Sequence, residues 1–187
     1  MVRYTQNWTT VASQDMIRVF PKLFEEREHP INFLEIGCFE GRTSRWIVEN
    51  MFNHPEDKLY CLDWWRGDVD NEHYNLFLDN MEDLKDRIEV IRGESQHTLP
   101  TLEDQLFDGI YVDGSHEAID VMSDAIQSFR LIKKGCVILF DDYLWDNNHG
   151  GQRHKMPKVA IDCFVEMTKG WSTEVIFKSY RLAVKRT

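Results

Sequence analysis

Five short apolar runs, at 32–36, 58–62, 88–91, 109–112 and 136–140, recur along the chain with stretches of helical spacing between them. Strands joined by helices pair in parallel, because a helical crossover returns the chain to the same end of the sheet. The pattern predicts an α/β fold with helices on both faces of the sheet. Two further apolar runs, 173–177 and 180–184, lie too close together for a crossover helix. They predict an antiparallel hairpin at one edge, making a mostly parallel seven-stranded sheet.

The clearest helical stripe is Ile119, Met122, Ile126, Phe129 and Ile132, with Lys133-Lys134-Gly135 read as a cationic last turn and C-cap. Residues 1–30 read as a polar lead-in and a helix carrying Ile17, Phe20 and Phe24 that closes at His29-Pro30. This helix is expected to cap a core of 31–187. A chain of 187 residues, 42% of them hydrophobic, has material for one substantial core, so 1–187 is expected to be a single domain.

The longest apolar run in the interior, 136–140, is far short of a membrane span, and no signal-peptide core opens the chain. A soluble, cytoplasmic protein without a membrane partner is expected. Cys38, Cys61, Cys136 and Cys163 are widely spaced with no C-x-x-C pair, which supports neither a disulfide framework nor a zinc site. The net charge of -10 comes without an isolated basic block, so nucleic acid is not an expected partner.

Phe33-Leu34-Glu35-Ile36-Gly37 runs into Cys38-Phe39-Glu40-Gly41, after which Thr43 or Ser44 is placed to cap a helix carrying Trp46, Ile47 and Met51. The glycine spacing is G-x-x-x-G, with Phe39 where a dinucleotide loop needs glycine to close on a pyrophosphate. The G-K-S/T ending of a triphosphate loop is missing too. A ligand without phosphates is left. Gly37 and Gly41 alone would equally suit an ordinary strand-to-helix turn, and Asp63, ending the second strand, an exposed loop acid. Their order within one βαβ unit favours a ligand site.

This E-x-G-x-x-x-G loop, followed by Asp63, resembles motifs I and II of class I S-adenosylmethionine-dependent methyltransferases. Arg92-Gly93-Glu94-Ser95 after the third strand and 108–113 through the fourth extend the resemblance to roughly 32–185. The edge hairpin agrees with it. The resemblance implies a Rossmann-like fold with S-adenosylmethionine as cofactor. Gly37, Cys38 and Gly41 would let backbone approach its methionine part, with Glu35 orienting the amino-acid end. Asp63 would accept the ribose hydroxyls, Trp64 would contact the adenine, Glu94 and Ser95 would lie near the adenine amino group, and Asp113 would complete the set. Trp65 and Trp145 also follow strand ends and could roof the core or shape an acceptor pocket.

Asp113-Gly114-Ser115-His116 and Asp141-Asp142-Tyr143 follow strands expected to be neighbours, at the sheet edge where α/β folds bind ligands. Carboxylates crowded there suit a divalent cation, Mg2+ or another hard ion. The arrangement resembles the metal-dependent small-molecule O-methyltransferases, those of macrolide sugars and the cephalosporin-hydroxylase-like relatives in particular. That resemblance implies Asp113, Asp141 and Asp142 as metal ligands and His116 as general base. Both Asp141 and Asp142 can ligate only if the strand has ended by Asp141, since successive strand side chains point to opposite faces. His149, Arg153 and His154, in the irregular stretch 145–157, are second-rank candidates for substrate contact or an alternative base.

The expected activity is metal-assisted methyl transfer to a hydroxyl of a small molecule, a sugar or natural product. A base-modifying enzyme would carry an N/D-P-P-Y/F tetrapeptide where this chain has 113–116. A non-catalytic module binding S-adenosylmethionine or a nucleoside would not need the acids with His116, and a nicotinamide oxidoreductase would need G-x-G-x-x-G. The partners expected are a methyl acceptor and, as an open alternative to a monomer, a second copy of the chain.

Overall fold

The computed structural model describes residues 2–7, 9–25, 28–65, 69–145 and 152–187. Its strands are β1 Asn32–Ile36, β2 Lys58–Asp63, β3 Ile88–Arg92, β4 Phe107–Val112, β5 Ile132–Phe140, β6 Thr173–Lys178 and β7 Leu182–Arg186. Its helices are α1 Thr9–Val19, α2 Arg42–Met51, α3 Glu72–Met81, α4 Ser95–Thr98, α5 Ala118–Leu131 and α6 Pro157–Thr168. The strands form one sheet in the order β3-β2-β1-β4-β5-β7-β6. β1 to β5 pair in parallel, and β7 enters antiparallel between β5 and β6. The order reverses between β1 and β4, which opens a crevice at their C-terminal ends.

Alternation along the strands divides the core in two. Phe33, Leu59, Cys61, Tyr111, Leu139 and Ala183 face α1, α2 and α3. Leu34, Ile36, Leu62, Ile110, Val112, Ile138 and Phe140 face α5 and α6. Central parallel strands buried on both faces read as continuous apolar runs, which is why the sequence marks them so clearly. Among the described residues, no helix is long and apolar enough to cross a membrane.

Several local expectations are corrected. α1 ends at Val19, because Pro21 disfavours a helical Phe20, and Pro21–Phe24 is a separate 3-10 turn. Its buried face is Ala12, Asp15, Met16 and Val19, and Ile17 is exposed. In α5 the buried face is Val121, Asp124, Ala125, Ser128 and Leu131, whereas Ile119 and Ile126 are exposed. Met122 and Phe129 lie on its flank, Phe129 against Phe164 of α6.

Ile132 belongs to β5, paired with Phe107, so Lys133-Lys134-Gly135 do not end a helix. They form a bulge whose register resumes at Gly109 and Val137, with Gly135 at φ +80° and Lys133 bound to Asp108 at 2.8 Å. Gly41, at φ +79°, is the residue before α2, and the hydroxyls of Thr43 and Ser44 point elsewhere instead of capping. β7 starts at Leu182, which leaves Tyr180 and Arg181 in the preceding turn.

Candidate active site

The loop from β1 to α2 lies against the end of β4. A Cβ on Gly37, which has φ +89°, would stand 2.0 Å from the Asp113 carbonyl oxygen, so only glycine fits. The Asp63 carboxylate holds the loop from the other side. Its Oδ2 accepts the N–H groups of Cys38 and Phe39 at 2.8 and 2.9 Å, and its Oδ1 accepts that of Trp65 at 2.7 Å. These bonds fix Phe39 at φ +48° and Trp65 at φ +47°. Trp65 turns into the core against Tyr74 and Phe77, while Trp64 remains 40% exposed at the strand end.

Glu35 lies beneath this loop. The Ser44 hydroxyl donates to its Oε2, and its Oε1 has no hydrogen-bond partner among the described residues. Burial pushes its pKa up to about 8, and burial likewise raises the neighbouring Cys38 and Cys61 thiols. Over the loop, Gln6 and Thr9 join Gly37, Phe39, Thr43 and Asp113 around a cleft, with the Thr9 and Thr43 hydroxyls 2.9 Å apart.

Beyond β3, Glu94 pairs with His97 at 2.9 Å and Ser95 opens α4. Two acids of α5 face this corner. Asp120 accepts from Gln96 at 2.6 Å and from Ser115 at 2.7 Å, and Asp124 is buried, with its pKa raised to about 6 by desolvation.

The acidic cluster forms where β4 and β5 end. Asp141 still pairs with Val112 through its N–H at 2.9 Å, but Asp142 turns left-handed at φ +52°, so the two carboxylates diverge. Asp141 Oδ2 accepts Arg181 Nε at 2.8 Å and the Tyr111 hydroxyl, and its Oδ1 accepts the Asp142 N–H at 2.7 Å. Arg181 also reaches Asp15 of α1 at 3.1 Å, and the Tyr111 hydroxyl lies 3.1 Å from Asp113. Asp142 instead meets His116, Oδ2 to Nε2 at 2.6 Å, and accepts the Tyr180 hydroxyl at 2.7 Å. Trp145 lies beside the His116 ring, centroids 4.6 Å apart.

Burial, then the neighbouring carboxylates, hold Asp113 well above the usual carboxylate range. Burial raises Asp141 as well, against the pull of Arg181. Burial also acts upward on Asp142, but hydrogen bonds from His116 and Tyr180 outweigh it and keep this carboxyl low. The Asp142 hydrogen bond raises His116 in return.

The structure thus gathers Asp113, His116 and Asp142, with ligand atoms all within 4.8 Å of one another. The two carboxylates suit a hard divalent cation such as Mg2+ or Mn2+, whereas an imidazole is a better ligand for borderline ions such as Zn2+. Asp141 stands behind them, held by Arg181. Tyr111 and Arg181 escaped the sequence reading. A tyrosine in a buried strand reads as ordinary core, whereas Arg181 inside the apolar run 180–184 was a visible signal. His149 lies outside the described residues, and His154 is exposed in a short 3-10 turn, Arg153–Lys155.

A family model described as a methyltransferase domain matches residues 34–143. A catechol O-methyltransferase of Mycobacterium tuberculosis is 27% identical over 111 residues, which is 59% of this chain and 47% of that protein. The chain therefore spans about half the length of this curated relative. Two solved structures share the fold. An O-methyltransferase from Bacillus cereus, in complex with SAH, has a TM-score of 0.69 at 17% identity, over 98% of this chain and 84% of its own. TomG, an O-methyltransferase from Streptomyces achromogenes involved in tomaymycin synthesis and in complex with SAM, has a TM-score of 0.63 at 19% identity, over 98% and 91%.

Proposed function

The chain belongs to the methyltransferase-domain family, and on that premise we propose that it transfers a methyl group from S-adenosylmethionine to a hydroxyl of a small molecule, assisted by a divalent cation. The observation that carries this reading is the contact at Gly37, where the cofactor loop touches Asp113, the first residue of the acidic cluster. Methyl donor and acceptor would be bound side by side.

S-adenosylmethionine supplies a sulfonium methyl open to attack by an oxygen nucleophile. The 37–41 backbone would receive its methionine part, with Gly37 giving close approach and Glu35 supporting the loop from below. Asp63 would offer its remaining lone pairs to the ribose hydroxyls. Trp64, Glu94 and Ser95 would flank the adenine. Asp113 and Asp142 would hold the cation, with Asp141 as a third carboxylate tethered by Arg181. The cation would make the acceptor hydroxyl more acidic and fix its orientation. His116 would take the hydroxyl proton on its other ring nitrogen, Nδ1, while the hydrogen bond from Nε2 to Asp142 keeps the ring basic enough to do so.

The same proposal treats 1–187 as one domain whose residues 1–30 cap the sheet, acting in the cytoplasm without nucleic-acid or membrane partners. Sugars, natural products and, from the mycobacterial relative's name, catechols are the acceptors to screen. Calorimetry with S-adenosylmethionine, S-adenosylhomocysteine and NAD, with and without Mg2+, tests the assignment. The first two should bind and NAD should be silent. Tight NAD binding would overturn the cofactor, and full methyl transfer in EDTA would remove the cation from the mechanism.

A further inference from the structure

Glu40 sits in the cofactor loop, yet its carboxylate is 2% exposed and serves a segment outside the sheet. Its Oε2 accepts the Thr5 N–H at 2.7 Å and its Oε1 the Thr5 hydroxyl at 2.6 Å. Asn80 of α3 grips the same segment, exchanging two hydrogen bonds with the Arg3 backbone at 2.9 and 2.7 Å while donating to the Glu40 carbonyl at 2.8 Å. Arg42 closes the far side, donating to the Gln6 carbonyl at 3.0 Å with its guanidinium 5.1 Å from the Tyr4 ring.

Residues 3–6 contribute nothing to either hydrophobic core, so this polar anchoring does not serve core packing. A buried carboxylate is costly unless it is hydrogen-bonded, and Glu40 takes both of its close hydrogen bonds from Thr5 of the seated segment, with His73 Nδ1 of α3 farther off at 3.4 Å. Gln6, at the end of the segment, and Thr9, at the start of α1, line one cleft with Gly37 and Phe39. The free space between them is about 40 Å³, a narrow cleft with room for a few waters. An amino-acid end held on the 37–41 loop would lie against Gln6 and Thr9.

We propose that Glu40 is a positioning residue for the cofactor, a latch that seats residues 3–6 as a strap over the 37–41 loop and governs cofactor exchange. The inference rests on the cofactor occupying that loop. With the latch intact, Gln6 and Thr9 close over the methionine part; with it broken, the strap lifts and the cofactor leaves sooner.

The test is the dissociation rate of labelled S-adenosylhomocysteine, chased with unlabelled compound, in wild type, Glu40→Ala, Glu40→Gln, Thr5→Pro and Glu40→Ala with Thr5→Pro. Glu40→Ala and Thr5→Pro should each release the ligand about tenfold faster, and the double variant no faster than either, because both break one device. Glu40→Gln keeps a carbonyl for the Thr5 N–H and should stay within about threefold of wild type, a rescue that general loosening of the fold would not produce. If Glu40→Ala does not fold, Thr5→Pro, remote from the sheet, still carries the comparison. Release within twofold of wild type in folded Thr5→Pro, or additive effects in the double variant, would overturn the latch. A wild type that does not bind the ligand at all would instead remove the cofactor assignment on which the latch rests.

Discussion

Glu35 lies where the 37–41 loop leaves β1, and none of its atoms reaches solvent. Its pKa of about 8, against an ordinary 4.5, means that the fold holds a proton the unfolded chain has already released across that interval. Where the native state binds more protons than the unfolded one, stability falls as pH rises. Wild type should therefore lose stability between about pH 4.5 and 8, at roughly 1.4 kcal/mol for each pH unit crossed and a few kcal/mol in all, and level off above. Glu35→Gln keeps an acceptor for Ser44 and abolishes this titration. Urea unfolding at pH 6 and pH 8.5 should show wild type weakening relative to the variant; parallel behaviour would mean Glu35 is ionised in the fold. The loop sequence marked Glu35 as important but not as buried, because a motif gives order along the chain and not depth. Asp63 shows the same limit. Its place at the end of β2 was legible, whereas its grip on the Cys38 and Phe39 N–H groups depends on a turn geometry that pattern does not encode.

At the scale of elements, the strands were legible, and so was the inner face of α2 with Ile47 and Met51, but the face of α5 was not. Strands buried on both sides need no choice of face, but a helix does, and in α5 the small residues Ala125 and Ser128 face inward while Ile119 and Ile126 remain outside. The large aliphatic residues drew the expected stripe towards the flank, where Met122 and Phe129 lie, and away from the buried face. Packing between distant elements was equally hidden. Arg181, in the turn before β7, ties Asp15 of α1 to Asp141 after β5. Removing one partner from a buried charged group typically costs about 3–5 kcal/mol, because the remaining charges stay desolvated. Arg181→Met should lose stability towards that scale in urea unfolding, since it leaves buried Asp141 without a cation and Asp15 with only Arg18 at 3.8 Å. Asp15→Asn, which leaves Arg181 its bond to Asp141, should lose less. Losses below about 1 kcal/mol in both would show that the triad is no more than a surface-like ion pair.

For the whole molecule, the decisive fact is that the candidate site is not local. Asp15 and Arg181 stand 166 residues apart in sequence and bracket an acidic cluster supplied by β4 and β5. The 37–41 loop in turn is held by Asp63 of β2 and by Thr5, before α1. A ligand binding there engages both halves of the sheet, so it should stabilise one cooperative unit instead of a subregion. A ligand at a hundred times its dissociation constant adds about 2.7 kcal/mol. For a chain of this size each kcal/mol raises the melting temperature by roughly 2–4 °C, which makes a shift of about 5–10 °C. Mg2+ or Mn2+ should add its own increment, and EDTA should remove it. Because Asp113 touches Gly37 at the loop and belongs to the cation cluster, the two increments should not sum. Scanning calorimetry with S-adenosylhomocysteine, the cation, both, and EDTA measures this directly. A single transition that moves as a whole is expected. A component that stays in place while the rest shifts would mean that α1 and its strap, or the β6-β7 hairpin, unfold independently of the site they frame.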